Sequence, residues 1–144
     1  MARIKITLPP VFQFSTKIPV RITDVNYGGH VGNDAFLSIL HEARLQFLAH
    51  FGYSELELAG TSLIMADAAI EFKKEAFYGD TIIASVAVND FQRVAFDIVY
   101  KLEKEQEGQL VPVAFAKTGV ICYDYTQKKI CPVPEAAIKL FQSV

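Results

Sequence analysis

Apolar residues recur at helical spacing between residues 33 and 52 and in alternation through much of the remainder, so the pattern predicts one long helix set among strands. Phe36, Leu40, Ala43 and Phe47 fall three or four residues apart, and Leu37, Ile39, Leu45 and Leu48 widen their stripe. Asn33 is placed to cap the helix start, Asp34 suits the positive end of the dipole, and Gly52 sits where a C-terminal cap is expected. A helix apolar over so much of its circumference is expected to be wrapped by other elements. Ser54–Glu57 has capping-box spacing and predicts a second short helix ended by Gly60.

Strands are predicted over residues 12–23, 62–78, 81–89, 92–103 and 111–124, with a short one near Lys129–Cys131. The fourth of these alternates most cleanly. Val94, Phe96, Ile98, Tyr100 and Leu102 share one face, against Ala95, Asp97, Val99, Lys101 and Glu103. Gly79–Asp80 and Glu105–Gly108 read as turns, Pro112 lies near a strand start, and Pro134 opens a terminal helix over 135–141. The sum is α+β: antiparallel strands joined by hairpins and curled round one helix, in a single domain over 1–144.

Bulk composition narrows this only a little. The 144 residues suffice for one full core without disulfide staples, and 51% apolar with 21% charged residues is ordinary globular usage. A formal net charge of -2 speaks against a nucleic-acid footprint. Cys122 and Cys131 form no disulfide framework and sit in no metal-ligand spacing, so they read as reduced, partly buried thiols with no metal site expected. Met1–Pro10 lacks the apolar stretch of a signal peptide, and no run approaches the ~20 residues of a membrane span. A cytoplasmic protein with no membrane partner is the expectation.

Candidate chemistry gathers in one place. Asp24 ends a β-like run, Gly28 and Gly29 give a mobile backbone, and the helix begins at Asn33. An acid, a loop that lets a ligand approach the backbone, and a helix N-terminus can together attack and polarise a carbonyl. The N–H groups of Val31 and Gly32 are the candidate oxyanion donors, and His30 is a candidate to orient water or donate to the carbonyl. An acid at position 24 also serves as an ordinary turn or helix cap. His41 and His50 fall on the helix and read as structural; Glu42 and Arg44 suit a helix surface, a subunit contact or the site. Asp67 is the odd charge in an apolar strand, expected to face the pocket or a partner subunit.

Arg21–Asp24, the Gly28–Asn33 loop, Phe36 with Glu42–Arg44 and Phe47–Leu48, the Phe72–Asp80 segment and Pro132–Glu135 occur in an order that resembles the hot-dog fold thioesterases. The branch is the 4-hydroxybenzoyl-CoA thioesterase-like and acyl-ACP thioesterase-like one, and the similarity covers about residues 14–140. The resemblance implies an antiparallel sheet wrapped round the long helix and hydrolysis of an acyl or aroyl thioester. It makes Asp24 the catalytic carboxylate, as nucleophile or general base, and puts the thioester carbonyl on the amides near Val31. The acyl-ACP pattern Asp-x-Asn-x-His meets Asn26, Gly28 and His30 here, so only the histidine matches, which favours acyl-CoA over acyl-ACP.

No cofactor is implied beyond the coenzyme A of the substrate. Its phosphates need cations, for which Lys73, Lys74, Arg93 and Lys117 are available; Gly28, Gly29, Asn33 and Asp67 complete the expected binding residues. Family members are dimers or tetramers with sites between subunits, which implies a homodimer or homotetramer in which residues 62–80 complete a neighbour's pocket. Two other functions fit less well. A hot-dog 3-hydroxyacyl-thioester dehydratase or hydratase would show Asp-x-Asn-Pro-x-His, but here the histidine is one residue late and Tyr27 replaces the proline. A non-catalytic acyl-thioester-binding subunit is the third.

Overall fold

Phe36, Ile39, Leu40, Ala43, Phe47 and Leu48 are buried along one side of an 18-residue helix, α1 (Asn33–His50), in a computed structural model that describes residues 2–143. Gly32 is the N-cap residue and Gly52, at φ +82, lets the chain leave the helix in the left-handed region that other residues resist. The other elements are β1 (Phe14–Pro19), β2 (Ser62–Phe72), β3 (Thr81–Asn89), β4 (Ala95–Gln106), β5 (Gln109–Asp124), β6 (Lys129–Ile130) and α2 (Glu135–Gln142).

The strands form one antiparallel sheet in the order β1-β3-β4-β5-β2, with β6 paired to β5. Its inner face presents Ile82, Ala84 and Val86 from β3, Phe96, Ile98, Tyr100 and Leu102 from β4, and Ala114, Ala116 and Val120 from β5, all buried. The alanines leave room for α1 to approach the sheet closely, and the large side chains fill in around it. Phe141 of α2 stacks on Phe47 at 5.5 Å and meets Phe51 and Phe96, closing the far end of the core.

The structure corrects the expected outline at four points. Residues 54–60 are a capped turn and no helix: Glu57 takes the Gly60 N–H with its carboxylate, and Ala59 and Gly60 both have positive φ. The strand expected over 12–23 stops at Pro19, because Ile22–Asp24 fold into a 3-10 turn closed by the Asp24 carboxylate on the Arg21 N–H. The strand expected over 62–78 stops at Phe72, where Lys73 and Lys74 both donate to the Val113 carbonyl and the ladder ends. Wrapping of α1 is one-sided: Leu37 is 50% and Leu45 40% exposed. β2 is an edge strand, hydrogen-bonded to β5 alone, with Ile64, Met65 and Phe72 exposed along it. Among the described residues no helix is long and apolar enough to cross a membrane.

Candidate active site

The loop between Asp24 and α1 is held by its own polar groups. Asn26 N–H donates to the His30 carbonyl, and the Asn26 side-chain oxygen takes the Gly28 N–H at 2.9 Å, an Asx turn. Gly29 has φ +88, which the tight return requires. Beyond the turn, Val25 bridges Val31 and His30 bridges Phe77, so the loop is stitched to itself and to the β2–β3 connection.

That stitching gives Asp24 a structural duty. Its side chain is 4% exposed, its Oδ2 accepts the Arg21 N–H at 2.8 Å, and the Arg21 guanidinium lies 3.3 Å from Oδ1. No atom of Asp24 lines the neighbouring cleft. The expected oxyanion donors are engaged too: Val31 N–H donates to the Ala76 carbonyl at 2.8 Å and Gly32 N–H to the Asp24 carbonyl at 3.1 Å. The N–H groups of Val31 and Gly32, expected to face outward, are hydrogen-bonded within this chain. Gly28 and Gly29 are at the turn, outside the cleft lining.

The open side of the loop faces a cleft of about 220 Å³, lined by His30, Val31, Asn33, Phe36, Phe72, Lys73, Lys74 and Glu75. Of the expected residues, the fold therefore gathers His30, Val31, Asn33, Lys73 and Lys74, and leaves out Asp24, Gly28, Gly29, Gly32 and Asp67. The first N–H groups of α1, those of Asn33 and Asp34, have no acceptor among the described residues. His30 Nδ1 is 3.3 Å from the Val31 carbonyl; because that oxygen only accepts, Nδ1 carries the proton in the neutral ring and Nε2 keeps its lone pair. Phe36 and Phe72 meet edge to face at 5.2 Å and form an apolar wall.

Glu75 is the residue that sequence reading passed over. It stands at the end of an ordinary charged segment, and the fold brings it into the lining of the cleft with His30 and Asn33. Its backbone is fixed by Lys104, a buried lysine whose Nζ donates to the Glu75 carbonyl at 2.8 Å and to Asp80 at 3.1 Å. Lys73 pairs with Glu71 at 2.7 Å and lies over the Phe115 ring.

Asp67 lies elsewhere. A bulge between Met65 and Asp67 turns Met65 to the helix side and Asp67 outward. Its side chain is 61% exposed, and the Lys117 ammonium, with the Gly119 N–H, holds its carboxyl below the usual range. Both cysteines are free, and burial pushes the Cys122 thiol up to about 11, which suits a packed hydrophobe and no nucleophile. His41 and Arg44 bind Glu55, while Glu42 takes a hydrogen bond from Gln46.

A family model described as the thioesterase-like superfamily matches residues 20–141. The 1,4-dihydroxy-2-naphthoyl-CoA hydrolase of Microcystis aeruginosa is 30% identical over 120 residues, covering 81% of this chain and 84% of that protein. Two solved structures share the fold. One, a thioesterase superfamily protein from Jannaschia sp. CCS1, superposes with a TM-score of 0.82 at 18% identity, covering 94% of this chain and 84% of its own. The other, 4-hydroxybenzoyl-CoA thioesterase from Pseudomonas sp. strain CBS-3, gives 0.78 at 15% identity, with 90% and 99% covered.

Proposed function

This chain belongs to the thioesterase-like superfamily and is a thioester hydrolase, and we propose that it cleaves an acyl- or aroyl-CoA with Glu75, His30 and the start of α1 on the reacting group. The observation that carries this reading is that Glu75, His30 and Asn33, the first residue of α1, line one cleft. The thioester carbonyl oxygen accepts from the N–H of Asn33, where the helix dipole adds its positive end. Glu75 takes a proton from water as it adds to the carbonyl carbon, and His30 Nε2 orients that water. The tetrahedral adduct collapses to the carboxylic acid and the thiolate of coenzyme A, a leaving group needing little acid assistance. Asp24, on this reading, keeps the loop in shape.

Lys73 and Lys74 at the rim supply positive charge for the phosphates of coenzyme A. Assembly through β2 is part of the proposal: the strand's free edge, with Ile64, Met65 and Phe72 exposed, suits pairing with a second copy that would wall the cleft. The test is thiol release from benzoyl-CoA and decanoyl-CoA by the purified protein. Turnover above the uncatalysed rate is expected, and tight binding of both thioesters with no thiol released would leave a binding protein instead.

A further inference from the structure

Arg44 is a charged residue in the core, with a side chain 3% exposed, and the chemistry above does not use it. Nε donates to Glu55 at 3.0 Å and Nη1 to the Tyr100 hydroxyl at 3.1 Å. A guanidinium has five N–H groups, and Nη2 has no acceptor among the described residues. Among the described residues no fully enclosed side-chain nitrogen or oxygen lacks a partner, so Nη2 is the part of Arg44 that opens outward. It opens on a second cleft, of about 240 Å³, lined by Leu37, Ser38, Leu40, His41, Arg44, Met65 and Thr118.

A second donor lies beside it. The Tyr100 hydroxyl accepts from Arg44 and is 2.8 Å from Thr118 Oγ1, so the simplest chain runs Arg44 to Tyr100 to Thr118. With Tyr100 as the donor of that bond, the Thr118 hydroxyl can turn its own proton to an acceptor in the cleft it lines. A guanidinium N–H with no protein acceptor and a hydroxyl beside it on the same cleft suit a ligand that brings an acceptor.

The two clefts are consecutive. Asn33, Leu37, His41 and Arg44 follow one stripe of α1, and Phe36 of the first cleft adjoins Leu37 of the second. Asn33 to Arg44 is a rise of roughly 16 Å, and a helical side chain leans back toward the N-terminus by about one turn, which puts the Arg44 end of the groove roughly 12 Å from Asn33. Across from them β2 presents Phe72 at one end and Met65 at the other, and Thr118 is opposite Ala68 in the register.

We infer that the groove between α1 and β2 is the acyl channel, and that Arg44 and Thr118 select acyl groups carrying an oxygen acceptor at their far end, a hydroxyl, keto or carboxylate roughly 12 Å from the thioester. The inference rests on the thioesterase reading and deepens it. The apolar residues Phe36, Phe72, Leu37 and Met65 hold the body of the acyl group, and specificity resides in the distal polar pair.

The test compares 10-hydroxydecanoyl-CoA with decanoyl-CoA, using each protein's decanoyl-CoA value as its internal reference. Wild type should favour the hydroxylated thioester by about tenfold in kcat/KM, as for a hydrogen bond to a charged donor. Thr118→Val removes the hydroxyl at constant shape, and Arg44→Lys keeps the charge but loses Nη2; either should bring the ratio towards one. A wild-type ratio of one or less overturns the inference whatever the variants do, and so does a preference that survives in both variants. Such a result with decanoyl-CoA still hydrolysed leaves the thioesterase reading standing, whereas no thiol from either substrate sinks both.

Discussion

The two carboxylates flanking the Asp24–Asn33 loop differ in what is left for them to do. Asp24 is buried, and its carboxylate is occupied by the backbone and side chain of Arg21. Glu75 is exposed on the cleft beside His30, its backbone pinned by Lys104 and its side chain free of protein donors among the described residues. The same division runs through the amides: Val31 and Gly32 are paired, Asn33 and Asp34 are not. An acid that holds a loop must be saturated by donors, while an acid that moves a proton must have a face open to substrate. On the proposed reading, one side of the loop is scaffold and the other is reagent.

Substitutions should separate the two sides, with the largest effect on the open one. Glu75→Gln should lower kcat by about 10²–10³-fold while the melting temperature stays near wild type, since a positioned base contributes on that scale. His30→Ala should cost about tenfold to a hundredfold, read by the same thiol assay. On the closed side, Asp24→Ala should reduce stability by about 1–2 kcal/mol in urea denaturation, by removing the acceptor of the part-buried Arg21 N–H. Gly29→Ala should cost about 1 kcal/mol, from the positive φ alone.

The smallest effect lies away from the loop. Despite burial, hydrogen bonds from His41 and Arg44 hold the Glu55 carboxyl below its usual 4.5. A depressed folded-state value stabilises the fold above the unfolded value, and that contribution is lost as pH falls through the lower folded one. Thermal stability should therefore decline as pH falls below about 4.5, and Glu55→Gln should flatten that decline.

Much of the fold was legible in residue order. The stripe Phe36–Leu40–Ala43–Phe47 and the alternation Phe96–Ile98–Tyr100–Leu102 are periodicities that burial imposes directly, and both faces are buried as expected. The site was only half legible, because hydrogen-bond partners far apart in sequence decide which groups remain free. Nothing near Val31 announces that Ala76 will take its N–H, and nothing near Asp67 announces a bulge. Glu75 was hidden for the converse reason: an exposed glutamate next to two lysines looks like any solvated turn until the fold brings it into the cleft that His30 lines. Arg44 similarly suited a helix surface, a subunit contact or the site alike, and its hydrogen bonds to Tyr100 and Glu55 hold it inside.

The division of labour between the carboxylates is best tested by one comparison, kcat for thiol release from the same acyl-CoA by Asp24→Asn and Glu75→Gln. Asparagine keeps an oxygen to accept the Arg21 N–H, so Asp24→Asn should stay within about threefold of wild type, while Glu75→Gln falls by about 10²–10³-fold. A folded Asp24→Asn that loses most of its kcat, beside a Glu75→Gln that keeps its own, would contradict the account and return the reacting carboxylate to Asp24.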